Sequence, residues 1–217
     1  MCSRVILGTF FKIMYKLYLL LSRFNRADQT EGRMIEYAFI LKNIIQEAKL
    51  NACILLVGCA GDILSTTLPV LGYKVIGLDV KYVPLKYQGF IFTQQDIRNT
   101  SFPDNYFDIV VAVSTIEHVG LLDGDIKGDV RALNEIYRIL KPHGILLMTT
   151  PYSAKYKQTI TQRIYDFSHI NNLLSKFKIE ILEVYKVDKN GLWMPSDPFN
   201  VKDYKVIPFV TIKARKP

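Results

Sequence analysis

A chain of 217 residues, 49% hydrophobic and 22% charged, suits one α/β domain with a core that needs no staples. Its three cysteines (Cys2, Cys53, Cys59) fit no zinc or disulfide framework, and three dispersed histidines argue against a histidine-rich metal site. A reducing, cytoplasmic compartment is expected. The net charge of +8 is uneven, with +4 of it carried by residues 1–33. Charge of this kind attracts nucleic acid or anionic lipid without choosing between them.

The stretch "VILGTFFKIMYKLYLLLSRF" is apolar, but Lys12 and Lys16 interrupt it too often for a spanning helix, and it has no small-residue cleavage site. On a helical wheel Arg4, Lys12, Lys16, Arg23 and Arg26 share one sector, opposite Phe10, Ile13, Met14, Leu17, Leu20, Leu21 and Phe24. Residues 1–27 are therefore expected to form a basic amphipathic helix, and 28–217 the main domain. The apolar face of that helix would pack on its own domain, on a second subunit, or on an anionic membrane surface.

A second helix is expected in "DQTEGRMIEYAFILKNIIQEAKLN", with Met34, Tyr37, Ala38, Leu41, Ile44, Ile45 and Ala48 as its apolar face and Asn51 at its close. Five short apolar runs follow: "ACILLVG", "YKVIGLD", "GFIFTQQD", "FDIVVAVS" and "GILLMTT". Nearly continuous hydrophobicity marks strands buried on both faces of a mostly parallel sheet. Helices are expected in "GDVRALNEIYRILKPHG", with Asp129 as N-cap, and in "DFSHINNLLSKF", capped by Asp166 or Ser168. "KIEILEVYKV" and "YKVIPFVTIKA" read as the last strands, and "DKNGLWMPSDPFNVKD" between them as a loop in which Trp193 is an anchor or a substrate platform. The fold class is α/β, a Rossmann-like doubly wound sheet behind an N-terminal helical extension.

Ligands of such folds bind at the carboxyl ends of the strands, near the switch in strand order. Those ends carry a glycine turn (Gly58, Cys59, Ala60, Gly61), an acid after the second strand (Asp79, then Val80), an acid after the third (Asp96, then Ile97), and Ser114 to His118 after the fourth. Asp79 stands 21 residues beyond Gly58, where a carboxylate can accept from both hydroxyls of a ribose. Asp96 can accept from an exocyclic amine. "GCAGDI" does not supply the G-x-G-x-x-G of nicotinamide enzymes. The acids of "DGDIKGD" match no calcium-loop spacing and read as solvated loop residues, so no metal is expected.

With "VGCAGD", "GLDV", "QQDIRNTSFPDNYFDIVVAVSTIEHVG" and "EIYRILKPHGILLMTTP", the chain resembles class I S-adenosylmethionine-dependent methyltransferases of the type 11 kind, most clearly over residues 50–150. Its wording is similar to a prokaryotic branch often linked to glycan or cell-envelope pathways. The resemblance implies a seven-stranded sheet whose last strand is antiparallel, with S-adenosyl-L-methionine as cofactor. It also implies that the glycine turn passes beneath the methionine portion, Asp79 holds the ribose and Asp96 contacts adenine. The acid that relatives carry two places before the first glycine is Leu56 here, which removes a contact to the cofactor's amino group. Ala60 likewise alters the usual Gly-x-Gly turn. His118 is the expected base for a hydroxyl acceptor, with Glu117 orienting it or binding substrate. Tyr152, Arg163 and Tyr165 fall where relatives build the acceptor side, which would take a small molecule or glycan. "STIEH" stands where amino-methyltransferases of nucleic acids place Pro-Pro-Tyr, so a nucleic-acid acceptor is not favoured. The rival from another class is a non-catalytic module that binds a membrane or partner.

Overall fold

The computed structural model describes residues 29–82, 84, 88–201 and 206–217. The helix expected over 1–27 lies outside the described residues. In chain order the elements are α1 (Gln29–Glu47), β1 (Cys53–Val57), α2 (Leu64–Val70), β2 (Lys74–Asp79), β3 (Phe90–Gln94) and β4 (Phe107–Val113). A 3₁₀ turn (Ile116–His118), α3 (Gly128–Ile139), β5 (Leu140–Pro151), β6 (Lys157–Gln158) and β7 (Arg163–Ile164) follow. The chain ends with α4 (Phe167–Leu173), β8 (Lys178–Val187), β9 (Trp193–Ser196) and β10 (Phe209–Arg215).

Among the described residues, eight strands form one sheet in the order β3-β2-β1-β4-β5-β10-β8-β9, while β6 and β7 pair separately. Strands β1 to β5 run parallel, and β10 is antiparallel to both β5 and β8. The order reverses between β1 and β4, which opens a crevice beyond their carboxyl ends. The eighth strand corrects the expected count of seven. β9 lies in the segment read as a loop, antiparallel to β8. The turn Asp188–Gly191 reverses the chain, closed by the Leu192 carbonyl accepting from the Asp188 N–H at 2.8 Å. Trp193 then anchors β9, with its ring 4.9 Å from that of Phe209.

Side chains alternate across β1, so that Leu55 and Val57 enter the core beneath α3 and α4 while Ile54 and Leu56 enter the core beneath α1 and α2. No helix among the described residues is long and apolar enough to cross a membrane.

The buried face of α1 overlaps the expected one at Leu41, Ile44 and Ala48 and otherwise differs from it. Met34 is exposed, whereas Ile35, Glu36, Phe39, Ile40, Asn43, Ile44 and Ala48 are buried. Two polar residues stand on the inward stripe. Asn43 satisfies its side chain locally, donating to the Phe39 carbonyl at 2.9 Å. Glu36 instead reaches into the crevice at the strand ends.

Candidate active site

The turn after β1 is held by the end of β4. Gly58 has φ +71°, and a Cβ built there would stand 2.6 Å from Cγ2 and Oγ1 of Thr115. The Thr115 hydroxyl lies 3.2 Å from the carbonyl of Val57 and 2.9 Å from that of Val113, so it stitches the two strand ends together. Glycine is required at 58 by both conformation and space. Gly61 (φ +79°) has open space above it, so only its backbone angle demands glycine.

Asp79 closes β2 beside this turn. Its Oδ2 accepts from the Ala60 N–H at 3.1 Å and its Oδ1 from the Lys81 N–H at 3.0 Å. Each oxygen keeps a lone pair for a further donor. Val80, next along the chain, is exposed. Cys59 is buried behind the turn, and burial pushes its thiol up to about 12, so it packs rather than reacts.

Asp96 is placed differently from the simple expectation. Arg98 folds back on it: Nε lies 3.1 and 3.0 Å from the two carboxylate oxygens, Nη2 lies 2.6 Å from Oδ2, and the Arg98 N–H donates to Oδ1 at 2.8 Å. These donors take up the capacity of one carboxylate. The Arg98 guanidinium holds Asp96 below the usual carboxylate range and also binds Asp123 and Asp125. Asp125 pairs with Arg131 as well. Asp123 and Asp125, two of the loop acids read as solvated, are thus organised around Arg98 and Arg131. Ile97 buries its side chain in the core.

The end of β4 gathers a group that the sequence did not reveal. Ser114 takes φ +44° and donates its hydroxyl to Glu36 Oε1 at 2.9 Å. Its N–H meets the Thr149 carbonyl at 3.0 Å, which joins it to β5. Glu36 also pairs with Arg33 at 3.0 Å. Burial nevertheless raises the Glu36 pKa, with Arg33, Thr149 and Ser114 opposing the rise. Asp62, whose Oδ1 accepts from the Leu64 N–H at 2.8 Å, is likewise raised by burial and feels both Arg33 and Glu36. The signal for Glu36 was a spacing: residues 32, 36, 39/40 and 43 form a helical stripe once polar side chains are allowed on it.

Glu117 and His118 emerge on the 3₁₀ turn. Glu117 is 1% exposed, and its Oε2 accepts from the Thr150 hydroxyl at 3.3 Å. Burial, aided by the charge of Glu36, pushes its carboxyl up to about 8. His118 is half exposed, with Nδ1 2.6 Å from the Thr161 carbonyl oxygen and Nε2 3.9 Å from Glu117 Oε1.

The expected acceptor residues are buried and engaged. Arg163, 1% exposed, sends Nη1 to the Val119 carbonyl (2.8 Å) and Nη2 to the Ile126 carbonyl (3.0 Å), while its Nε lies 3.3 Å from Asp129 Oδ2. Arg163 was expected on the acceptor side; its guanidinium instead holds the loop that follows His118. Tyr165 donates to Asp129 at 2.9 Å, and Tyr152 donates to the Pro198 carbonyl at 2.9 Å. Burial raises both phenols, Tyr152 to about 12. Asp129 is therefore spent on Arg163 and Tyr165 rather than capping α3, whose N-cap is Lys127. Asp166 does cap α4, accepting from the His169 N–H.

A parallel sheet with this strand order and a glycine turn tied to the next strand's acid defines the Rossmann-like class of nucleotide-binding folds. Residues 55–148 match the family model described as Methyltransferase domain. The chain is thus similar to that family over this stretch, which is less than half of its length. It is 28% identical over 141 residues to a ubiquinone biosynthesis O-methyltransferase from Histophilus somni, covering 58% of this chain and 55% of that protein. The chain thus spans about half the length of that curated relative. Solved structures share the fold. A SAM-dependent methyltransferase from Methanosarcina mazei superposes with TM-score 0.59 at 20% identity, over 82% of this chain and 96% of that one. The N-methyltransferase NodS from Bradyrhizobium japonicum, solved with S-adenosyl-L-homocysteine, gives 0.58 at 14% identity over 85% and 87%. The [4+2]-cyclase SpnF gives 0.60 at 19% identity over 83% and 81%.

Proposed function

We propose that this chain is an S-adenosylmethionine-dependent methyltransferase acting on a small-molecule or glycan-type acceptor, with an acceptor hydroxyl as the site of transfer. The observation that carries the reading is the glycine turn locked by Thr115 beside the Asp79 carboxylate at the strand-order switch. The residues fit the cofactor: the turn leaves backbone uncovered for close approach, and Asp79 keeps acceptor capacity for a ribose diol. Ser114 and Val80 complete the rim on the β4 and β2 sides. The H. somni relative is named for O-methylation, which supports a small acceptor and an oxygen nucleophile.

When bound, the cofactor supplies a methyl group already activated on a sulfonium. The protein's part is alignment, which can lower a barrier by roughly 7–11 kcal/mol, and removal of the acceptor proton. His118 takes that proton at Nε2. The Thr161 carbonyl only accepts, so Nδ1 must carry hydrogen and Nε2 keeps its lone pair in the neutral ring. Glu117 Oε1 stands 3.9 Å from Nε2, and its buried carboxyl, held protonated near neutral pH, helps to orient the ring rather than to balance its charge. Arg163 fixes the backbone that presents both groups. The excess positive charge of residues 1–33 would favour an anionic membrane surface.

The fold alone does not choose the reaction, as the cyclase relative shows. Calorimetric titration with S-adenosylmethionine and S-adenosylhomocysteine tests the cofactor, and labelled methyl transfer to a panel of phenols and sugars tests the acceptor. Absence of binding at millimolar cofactor would overturn the reading and leave a non-catalytic module.

A further inference from the structure

The β1 position two residues before Gly58 is Leu56, 1% exposed and packed among the apolar residues beneath α1. No charge can be offered to a ligand from there. The opposite wall of the crevice differs. Glu36 descends from α1 onto Ser114, and the neighbouring Thr115 touches the Gly58 turn. That chain of contacts sets a carboxylate at the amino-acid end of the crevice, away from Asp79 on the β2 side. Glu36, Asp62 and Glu117 are all raised by burial, and all three share the single guanidinium of Arg33. The Arg33 side chain is 39% exposed, so solvent screens much of its charge. The wall is therefore rich in carboxylates whose ionised forms one screened cation does not balance, and a ligand cation would complete it.

We propose that Glu36 binds the α-ammonium group of the cofactor, taking from α1 the role that the β1 acid has in relatives and that Leu56 vacates here. This rests on the cofactor assignment above. It makes α1 part of the binding site rather than a cover for the sheet. Arg33, one helical turn earlier, opposes the rise that burial imposes on Glu36, and the Ser114 hydroxyl aims its Oε1.

The test is calorimetric, with the full chain and two ligands: S-adenosylhomocysteine and its deaminated analogue, which differ only in the α-amino group. Wild type should prefer the amine-bearing ligand. Glu36→Gln should lower affinity for S-adenosylhomocysteine about tenfold or more, the scale of a lost charge-assisted hydrogen bond, and leave the analogue's affinity unchanged. Retained analogue binding also shows that the variant is folded. Equal loss for both ligands, as a purely structural role would give, overturns the proposal, and so does unchanged affinity for both. Glu36→Asp should recover part of the preference. Failure of wild type to bind either ligand would instead sink the cofactor assignment itself.

Discussion

The imidazole of His118 is fixed by the carbonyl of Thr161, 2.6 Å from Nδ1. A carbonyl cannot donate, so the neutral ring carries its hydrogen on Nδ1 and presents a free lone pair at Nε2. Long-range nitrogen NMR should report this tautomer in the neutral ring. His118→Ala should lower methyl transfer at least about tenfold, the lower side of general-base contributions, with cofactor affinity unchanged. Turnover equal to wild type would remove His118 from the chemistry.

Glu117 makes stability depend on pH in a direction opposite to most carboxylates. Its folded pKa is pushed up from 4.5 to about 8 by burial. Between those values the folded chain holds a proton that the unfolded chain has released. The stabilisation is full below about 4.5, declines by up to roughly 1.4 kcal/mol per pH unit, and is gone above about 8. Glu117→Gln, neutral throughout, should flatten that decline in denaturant melts run from pH 5 to 8. An unchanged slope would show that Glu117 is ionised in the fold.

Arg163 is a buried cation whose donors are divided among main-chain carbonyls and Asp129. Arg163→Met leaves Asp129 without its counter-charge and the carbonyls of Val119 and Ile126 without donors. Loss of one member of a buried pair costs about 3–5 kcal/mol, measurable by urea unfolding. Lysine should not rescue it, because one ammonium cannot reproduce the planar fork. A loss below about 1 kcal/mol, the range of surface pairs, would mean that the loop is held by something else.

Legibility followed burial. Strands such as β8 matched their expected bounds because apolar runs between turn residues have few other interpretations. Gly58, Asp79 and Ser114 stood out because strand ends order the chemistry of this fold in sequence. Glu36 stayed hidden because the helical pattern was drawn from apolar residues alone, and it lies on the buried stripe as a charge. The engagement of Arg163 stayed hidden for the related reason that a guanidinium spent on carbonyls looks, in sequence, like one offered to a ligand. β9 escaped notice because four residues packed through one tryptophan leave no periodic pattern.

Arg98 closes over Asp96, and this decides how adenine would be read. The guanidinium occupies both carboxylate oxygens and ties them to Asp123 and Asp125. An exocyclic amine reaching Asp96 must displace one of those donors. Arg98→Gln should therefore tighten adenosine binding severalfold, as expected for one hydrogen bond gained without competition. It should also raise the Asp96 pKa, since Arg98 is the main cause of its depression. The sign follows: a depressed carboxylate stabilises the fold above its unfolded pKa, and that stability is lost as pH falls through the lower folded value. Wild type should thus lose this contribution only below about pH 4, near the ordinary aspartate value, and Arg98→Gln should abolish that acid-side loss. Adenosine affinity that falls in the variant would show that Arg98 itself is the adenine contact and that Asp96 serves to hold it.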